Sequence, residues 1–91
     1  MMDTEWKACM PTIDDYIPED VLDEVLAVLR HGEVKHGEKW KTHDAAHHIE
    51  HAKAHIESHL SGNIRDEDFG TYNLANAACR ILFALAKEME K

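Results

Sequence analysis

One stretch of the chain, from Thr42 to Leu60, constrains the fold more than any other. It holds six of the eight histidines, and five of these recur at every fourth position: His43, His47, His51, His55 and His59. No glycine or proline interrupts the stretch, and Gly62 follows it as a stop signal. Side chains four positions apart lie close together on an α-helix. The stretch is therefore predicted to be one helix.

The regularly spaced histidines cannot share one site on such a helix. Each step of four residues overshoots a full turn by about 40°, so five of them spread over roughly 160°. The helix also carries an apolar stripe: Ala45, Ile49, Ala52, Ile56 and Leu60. Three histidines are predicted to border this stripe: His48, His55 and His59. The other three are predicted to face solvent: His43, His47 and His51. A histidine at the edge of a core is more often hydrogen-bonded to a neighbouring group than bound to a ligand.

Length and charge limit the functions that the chain can have. Its 91 residues predict one small domain, for which self-association is a common source of stability. A net charge of −8 argues against binding of DNA or RNA and against an anionic membrane surface. A small anionic ligand is compatible with this charge, because a local basic cluster can oppose it. The unpaired Cys9 and Cys79, together with a start that lacks a signal-peptide pattern, favour the cytoplasm.

The rest of the chain predicts two further helices and an N-terminal arm. Residues 1–17 are predicted to form the arm and residues 18–91 a single α-helical domain. The first helix is predicted to begin at Pro18 and to end near Gly32 or Gly37. The last helix is predicted over residues 71–88. No alternation typical of strands occurs. The predicted fold is all-α: a helical hairpin plus a packing N-terminal helix, completed by homo-oligomerisation.

The last helix has two distinct surfaces. Its apolar residues cover about 260° of the helical wheel, which predicts burial on several sides and hence a dimer or larger homo-oligomer. One narrow stripe is polar: Asn73, Asn76, Arg80 and Lys87. This stripe either faces solvent or forms one wall of a binding site.

The connector between the first two helices offers further candidates. Lys35 lies there between Gly32 and Gly37, and Trp40 follows Gly37. The spacing of these glycines matches neither a phosphate loop nor a dinucleotide fingerprint. One interpretation is a turn anchored by a buried tryptophan. The other is that Lys35 meets a phosphate while Trp40 stacks on a base.

Three segments resemble a known family. They are Gly32-x-x-Lys35-His36-Gly37-x-x-Trp40, His55-x6-Gly62-x3-Asp66-x3-Gly70, and Asn73-Leu74-Ala75-Asn76-Ala77-Ala78-Cys79. Over about residues 18–87 they resemble small phage proteins related to the N-terminal region of dATP/dGTP diphosphohydrolase. The resemblance implies a phage origin and a purine nucleotide ligand.

The resemblance also implies a metal site, which this chain reproduces only in part. His55 and Asp66 match positions that could hold Mg²⁺ or Mn²⁺ in a hydrolase. Asn73 and Asn76 stand where the family pattern has histidines, and asparagine is a poor transition-metal ligand. The carboxylate set by which related all-α pyrophosphohydrolases hold magnesium is also missing.

Three functions follow, in order of preference. The first is a protein that binds a purine nucleotide or cyclic nucleotide near a subunit interface and sequesters it, which in a phage would blunt a host defence. The residues expected to bind it are Lys35, Trp40, His55, Tyr72, Asn73, Asn76 and Arg80. The second is a metal-dependent dATP/dGTP-type diphosphohydrolase with His55 and Asp66 at the metal. The third is a structural helical assembly protein.

Overall fold

The described part of the chain is a set of helices. The computed structural model describes residues 11–91, and the predicted arm therefore lies mostly outside it. The elements in order are α1 (Ile13–Tyr16), α2 (Glu19–His36), a 3₁₀ helix (Lys39–Thr42), α3 (Ala45–Leu60) and α4 (Asn73–Met89). Within residues 11–91 the only strand-like feature is one isolated bridge, between Arg65 and Tyr72. The predicted all-α class is confirmed.

Helix α2 runs to the second of its two predicted ends. Pro18 precedes it, and Glu19 and Asp20 in the first turn favour the positive end of the helix dipole. The helix passes through Gly32 and stops at Gly37, whose φ of 61° belongs to the left-handed region. The Gly37 N–H donates to the Glu33 carbonyl and so caps the last turn.

Helix α3 begins later than the histidine spacing predicts. The Asp44 carboxylate accepts a hydrogen bond from the His47 backbone N–H at 2.9 Å and caps the helix. His43 therefore lies before the helix, at the end of the 3₁₀ turn. The helix still ends at Leu60, as predicted.

The loop between α3 and α4 sets the two helices antiparallel. One Asp66 carboxylate oxygen accepts hydrogen bonds from the backbone N–H groups of Asp68 and Phe69. The Asp66 N–H donates to the Thr71 carbonyl, and the Asn73 N–H donates to the Ile64 carbonyl. These local bonds fold the loop back on itself and bring α4 against α3.

The core between these helices is made of small and polar side chains. Helices α3 and α4 share the most extensive contact, and α2 packs on α4. The buried apolar residues are Ala52, Ala75, Ala77, Cys79 and Ala84. The buried polar residues are His48, Thr71, Asn73 and Asn76. Because the side chains are small, the polar groups of one helix reach those of the other.

The apolar stripe predicted to be the core face of α3 is largely exposed. Ile49, Ile56 and Leu60 keep 40%, 38% and 77% of their surface accessible. The buried side of α3 contains His48 instead, together with Ala52, which is the one fully buried member of the stripe. Polar groups on the facing helix must be hydrogen-bonded when they are buried, and histidine meets this need where isoleucine cannot.

Helix α4 also carries large apolar side chains that residues 11–91 do not cover. Five of them are 47% to 76% exposed: Leu74, Ile81, Leu82, Leu85 and Met89. They share one face of the helix, because their positions fall within about 100° of the wheel. The burial predicted for this helix is thus only partly provided within the described chain.

Cys79 is a packed core residue. It is 2% exposed, and its Sγ lies 3.5 Å from the Val25 carbonyl on α2. Burial raises the pKa of the Cys79 thiol to about 11, so at neutral pH it is an uncharged, poorly nucleophilic group. Cys9 lies outside the described residues. No helix among residues 11–91 has the length and hydropathy needed to cross a bilayer.

Candidate functional site

Two polar layers cross the seam between α3 and α4. In the first, His48 of α3 meets Arg80 of α4. In the second, His55 of α3 meets Asn73 of α4. The two layers are seven residues apart on each helix, which corresponds to two turns or about 10 Å. The polar stripe predicted on the last helix therefore faces α3 at these positions rather than open solvent.

His48 is fixed in one tautomer. Its Nδ1 lies 3.1 Å from an Arg80 guanidinium nitrogen, which can only donate, so Nδ1 must be the acceptor. Its Nε2 therefore carries the proton and donates to the Trp40 carbonyl at 2.9 Å. Burial, opposed by this hydrogen bond and reinforced by the Arg80 charge, lowers the pKa of His48. The fully buried ring is thus a neutral link between the 3₁₀ helix and α4.

Trp40 anchors the 3₁₀ helix to α4. Its ring stacks on Phe83 with centroids 4.6 Å apart and planes at 13°. Phe83 also lies 5.4 Å from the His48 ring. At the other end of the turn, the Lys87 ammonium donates to the Lys41 carbonyl at 2.8 Å. One face of the Trp40 ring is therefore already covered within the chain.

Arg80 is a half-buried cation with unused hydrogen-bond donors. A guanidinium has five N–H donors. Within residues 11–91 the one acceptor that it reaches is His48 Nδ1. No carboxylate of these residues lies within 4.0 Å of it, since the ion pairs present all involve lysines. Burial lowers the pKa of Arg80, which nevertheless remains charged at neutral pH.

A row of imidazoles runs beside His48, the hydrogen-bond partner of Arg80, with the His43 and His47 ring centroids 6.0 Å and 5.7 Å from that of His48. The histidine ladder, defined here as His43, His47 and His51, has ring centroids 3.8 Å apart for the first pair and 4.5 Å for the second. His51 is exposed as predicted, whereas His43 and His47 are half-buried rather than solvent-facing. Their rings turn toward each other because the Asp44 cap brings His43 back over the first turn of α3.

The pKa values of two ladder histidines, His43 and His51, are lowered by their surroundings. Burial, followed by the charges of His47 and His48, lowers the pKa of His43. Burial, followed by the charge of Arg80, lowers the pKa of His51. These two rings are therefore predominantly neutral at pH 7.

The second layer borders an open pocket. The Asn63 carbonyl, which can only accept, receives a hydrogen bond from Asn73 Nδ2 at 2.6 Å and fixes the orientation of the amide. Asn73 Oδ1 then accepts from His55 Nδ1 at 2.9 Å. The adjoining pocket measures 310 Å³ and is lined by Ser58, Asn63, Arg65, Asp66, Glu67, Asp68 and Asn73.

The remaining predicted residues have other neighbours. The Lys35 ammonium lies 4.9 Å from the centroid of the Phe69 ring, and the Tyr72 ring stacks under the Arg65 guanidinium at 4.1 Å. Asn76 is buried and donates to Thr71 Oγ1 and the Tyr72 carbonyl, both at 3.0 Å, at the start of α4.

Trp40 and Arg80 were named from the sequence as candidate binding residues, whereas His48 was placed at the border of the core but not among those residues. His48 joins Trp40 to Arg80 across the helix seam. The available signal was the departure of His48 from the four-residue spacing, which placed it beside the apolar stripe.

The metal site implied by His55 and Asp66 is not assembled by the described side chains. Within residues 11–91, no group of three histidine, cysteine, aspartate or glutamate side chains is placed to hold a metal ion. One Asp66 oxygen is engaged by two backbone N–H groups, and His55 Nδ1 is engaged by Asn73. Hydrolytic Mg²⁺ or Mn²⁺ needs carboxylates directed at the phosphates, and this donor set does not fit one.

Comparison with known families agrees with the resemblance seen in the sequence. A family model described as dATP/dGTP diphosphohydrolase, N-terminal, matches residues 4–91. The chain belongs to this family. The match extends beyond the segments on which the resemblance was based and confirms it. Neither the comparison with curated proteins nor the comparison with solved structures gives a match.

As a member of the dATP/dGTP diphosphohydrolase N-terminal family, this chain uses its two distinctive asparagines structurally. Asn73 is 2% exposed and Asn76 is 8% exposed. Each amide is hydrogen-bonded to groups of the loop that precedes α4. Asparagine suits position 73 because its side chain donates to the Asn63 carbonyl and accepts from His55 at once, and at position 76 its Nδ2 donates to two acceptors.

Proposed function

We propose that this chain binds a purine nucleotide or cyclic nucleotide and sequesters it. The observation that carries the proposal is the Arg80 guanidinium, which is half-buried against His48 with unused donors and no carboxylate of residues 11–91 within 4.0 Å. A phosphate supplies the negative charge and the acceptor oxygens that such a group lacks. Membership of a family named for dATP and dGTP supports the purine nucleotide as the ligand class.

The neighbours of Arg80 suit a ligand with both a phosphate and a base. The Trp40 backbone carbonyl is joined to Arg80 through His48, and the Trp40 ring stacks on Phe83, whose centroid lies 5.4 Å from the His48 ring. The face of Trp40 turned away from Phe83 would take the base. In the His55–Asn73 layer, about 10 Å along the same seam, the Asn73 amide and His55 Nδ1 are already hydrogen-bonded, and His55 Nε2 is the nitrogen that would meet the ligand. Lys35, in the last turn of α2, and Tyr72, immediately before α4, would contribute from outside the seam.

Sequestration is preferred to turnover because of the kinds of side chain that line the seam. Residues 11–91 supply basic and amide groups along the seam, but they do not gather the carboxylates that activate a metal-bound water. Diphosphohydrolysis is the second candidate, since the family carries that activity in its description. If the chain is phage-encoded, withdrawal of a nucleotide signal in the host cytoplasm would counter a host defence.

The test of this proposal is the Arg80→Gln variant. Glutamine removes the charge and keeps an N–H donor within the reach of an extended side chain, so we expect the fold to persist and the Kd for dATP, dGTP or a cyclic purine nucleotide to rise at least about tenfold. Isothermal titration calorimetry measures the affinity. Arg30→Gln, which changes an exposed arginine on α2, is the matched control and leaves Kd unchanged.

The same samples separate binding from hydrolysis. The protein is incubated with nucleotide and Mg²⁺ or Mn²⁺, then denatured, and the released nucleotide is analysed by chromatography. A sequestering protein returns the nucleotide intact, whereas a hydrolase returns products that have lost diphosphate. Equal affinities of the wild-type protein and Arg80→Gln would contradict the phosphate role of Arg80. No binding of any of these nucleotides would contradict the function.

We also propose that subunits associate through the exposed apolar face of α4. This face contains Leu74, Ile81, Leu82, Leu85 and Met89 and carries no charged residue between positions 74 and 85 on that side. Burial of such a face is favourable by about 25 cal/mol per Å². Light scattering should give a mass of at least two chains, and Leu85→Glu should reduce it. Val34→Glu, at an exposed position on α2, is the control. A monomeric wild-type protein would contradict this.

A further inference from the structure

We infer that the histidine ladder forms with Arg80 an anion site in which phosphate binding is coupled to proton uptake by the imidazoles. The inference rests on the proposed function and adds to it the groups that hold the phosphate and the dependence of affinity on pH. It assigns a role to three histidines that the pattern of the sequence placed in solvent.

The first support is the composition of this region. The titratable and charged groups around the ladder come from the 3₁₀ helix, α3 and α4, and they are Lys39, His43, Asp44, His47, His48, His51, His55 and Arg80. Asp44 is the carboxylate among these groups, and its side chain already accepts the N–H that caps α3. Glu50, three positions after His47 on α3, is ion-paired with Lys53. On a chain with a net charge of −8, this patch has the opposite sign.

The second support is the availability of the ring nitrogens. Both nitrogens of His48 are hydrogen-bonded, to Trp40 and to Arg80, so His48 stays neutral and holds Arg80 in place. Within residues 11–91, no side-chain hydrogen bond engages the rings of His43, His47 or His51. These rings can each donate to a phosphate oxygen.

The third support is the electrostatic balance of the cluster. In the free protein, burial and the neighbouring positive charges disfavour the charged forms of His43 and His51. A bound phosphate offsets the repulsion and hydrogen-bonds to the charged form, and both effects raise the pKa of an imidazole. Binding near pH 7 therefore transfers protons from solvent to ladder nitrogens, and no covalent bond is formed or broken.

The direction of the pH dependence follows from linkage. Because the bound state holds more protons than the free state, affinity rises as pH falls between the bound and free pKa values of the ladder. Full uptake of one proton corresponds to about a tenfold change in affinity per pH unit. Below the free pKa values both states are protonated and this dependence disappears.

Calorimetry in buffers of different ionisation enthalpy tests the inference directly. The probes are dATP and a cyclic purine nucleotide, whose phosphodiester does not titrate near neutral pH, unlike a terminal phosphate with a second pKa near about 6. At pH 7 we expect the full-length wild-type chain to take up roughly one proton with the cyclic probe. The His43→Gln/His47→Gln double variant should take up markedly fewer protons with either probe.

Two further variants serve as a specificity control and as a ladder variant that should still fold. His36→Gln changes an exposed histidine at the end of α2 and should leave uptake unchanged. His51→Gln changes the exposed ladder member and should lower uptake without any cost to folding, which covers a failure of the double variant to fold.

The outcomes separate the inference from the function on which it rests. Loss of uptake in the ladder variants, with uptake retained in His36→Gln, supports the inference. Equal uptake in the wild-type protein and the ladder variants, or no uptake at all, overturns it; if affinity still depends on Arg80, the proposed function stands. Failure of every probe to bind between pH 6 and pH 8 overturns both.

Discussion

Replacement of His48 by alanine should lower the free energy of unfolding by about 3 kcal/mol. The imidazole is 0% exposed and lies between the Trp40 turn and Phe83, so its removal leaves a cavity. It also leaves the Trp40 carbonyl without its donor and Arg80 without its acceptor. Such a loss is a large fraction of the total stability of a small domain, which is about 5–15 kcal/mol.

Urea denaturation followed by circular dichroism measures this change. His51→Ala is the matched control, because it removes an exposed histidine from the same helix. We expect it to change the free energy of unfolding by less than about 0.5 kcal/mol. Similar, small effects of the two substitutions would show that His48 does not link the 3₁₀ helix to α4.

The helices were predictable because their ends are marked by local chemistry. Pro18 and the two acids after it start α2, and the glycine at position 37 stops it. The uninterrupted histidine stretch gave α3 and its end at Leu60. The start of α3 was placed too early, since the spacing of histidines continues through His43 while the cap at Asp44 defines the first turn.

The buried face of α3 could not be predicted from the spacing of its apolar residues. An apolar stripe predicts that Ile49 and Ile56 face the core, yet both remain exposed within the described chain. The outcome depends on α4, whose Asn73 and Arg80 point toward α3 and need partners there. Those partners are far away in sequence, so the residue pattern of one helix cannot show which of its faces is buried.

The same limit applies to the candidate site. The polar stripe on the last helix was correctly predicted to be a surface distinct from the apolar one. Two interpretations were open: the stripe faces solvent, or it forms one wall of a binding site. Which of them holds depends on the antiparallel pairing of α3 and α4 set by the Asp66 loop. That pairing placed Asn73 and Arg80 in separate layers, whereas Lys35 came to lie over Phe69.

Asn73→Leu should lower the free energy of unfolding by about 2–3 kcal/mol despite the similar size of the two side chains. Asn73 is 2% exposed and connects three parts of the chain: His55 on α3, Ser58 near the end of α3, and the Asn63 carbonyl in the loop. Leucine fills the space but offers no hydrogen bond. The partners then lie at a buried seam with unmet donors and acceptors, and the cost of such groups exceeds the gain from added apolar contact.

The control for this substitution is Asn63→Ala in the same loop. The Asn63 side chain is exposed, and its backbone carbonyl, which is the group that Asn73 uses, survives the change. Urea denaturation should show a small effect for Asn63→Ala and a large one for Asn73→Leu. The two-dimensional NMR signal of His55 should also shift in Asn73→Leu, because its Nδ1 proton loses the acceptor that fixes the tautomer. A stable Asn73→Leu protein with an unchanged His55 signal would mean that this amide does not join the helices.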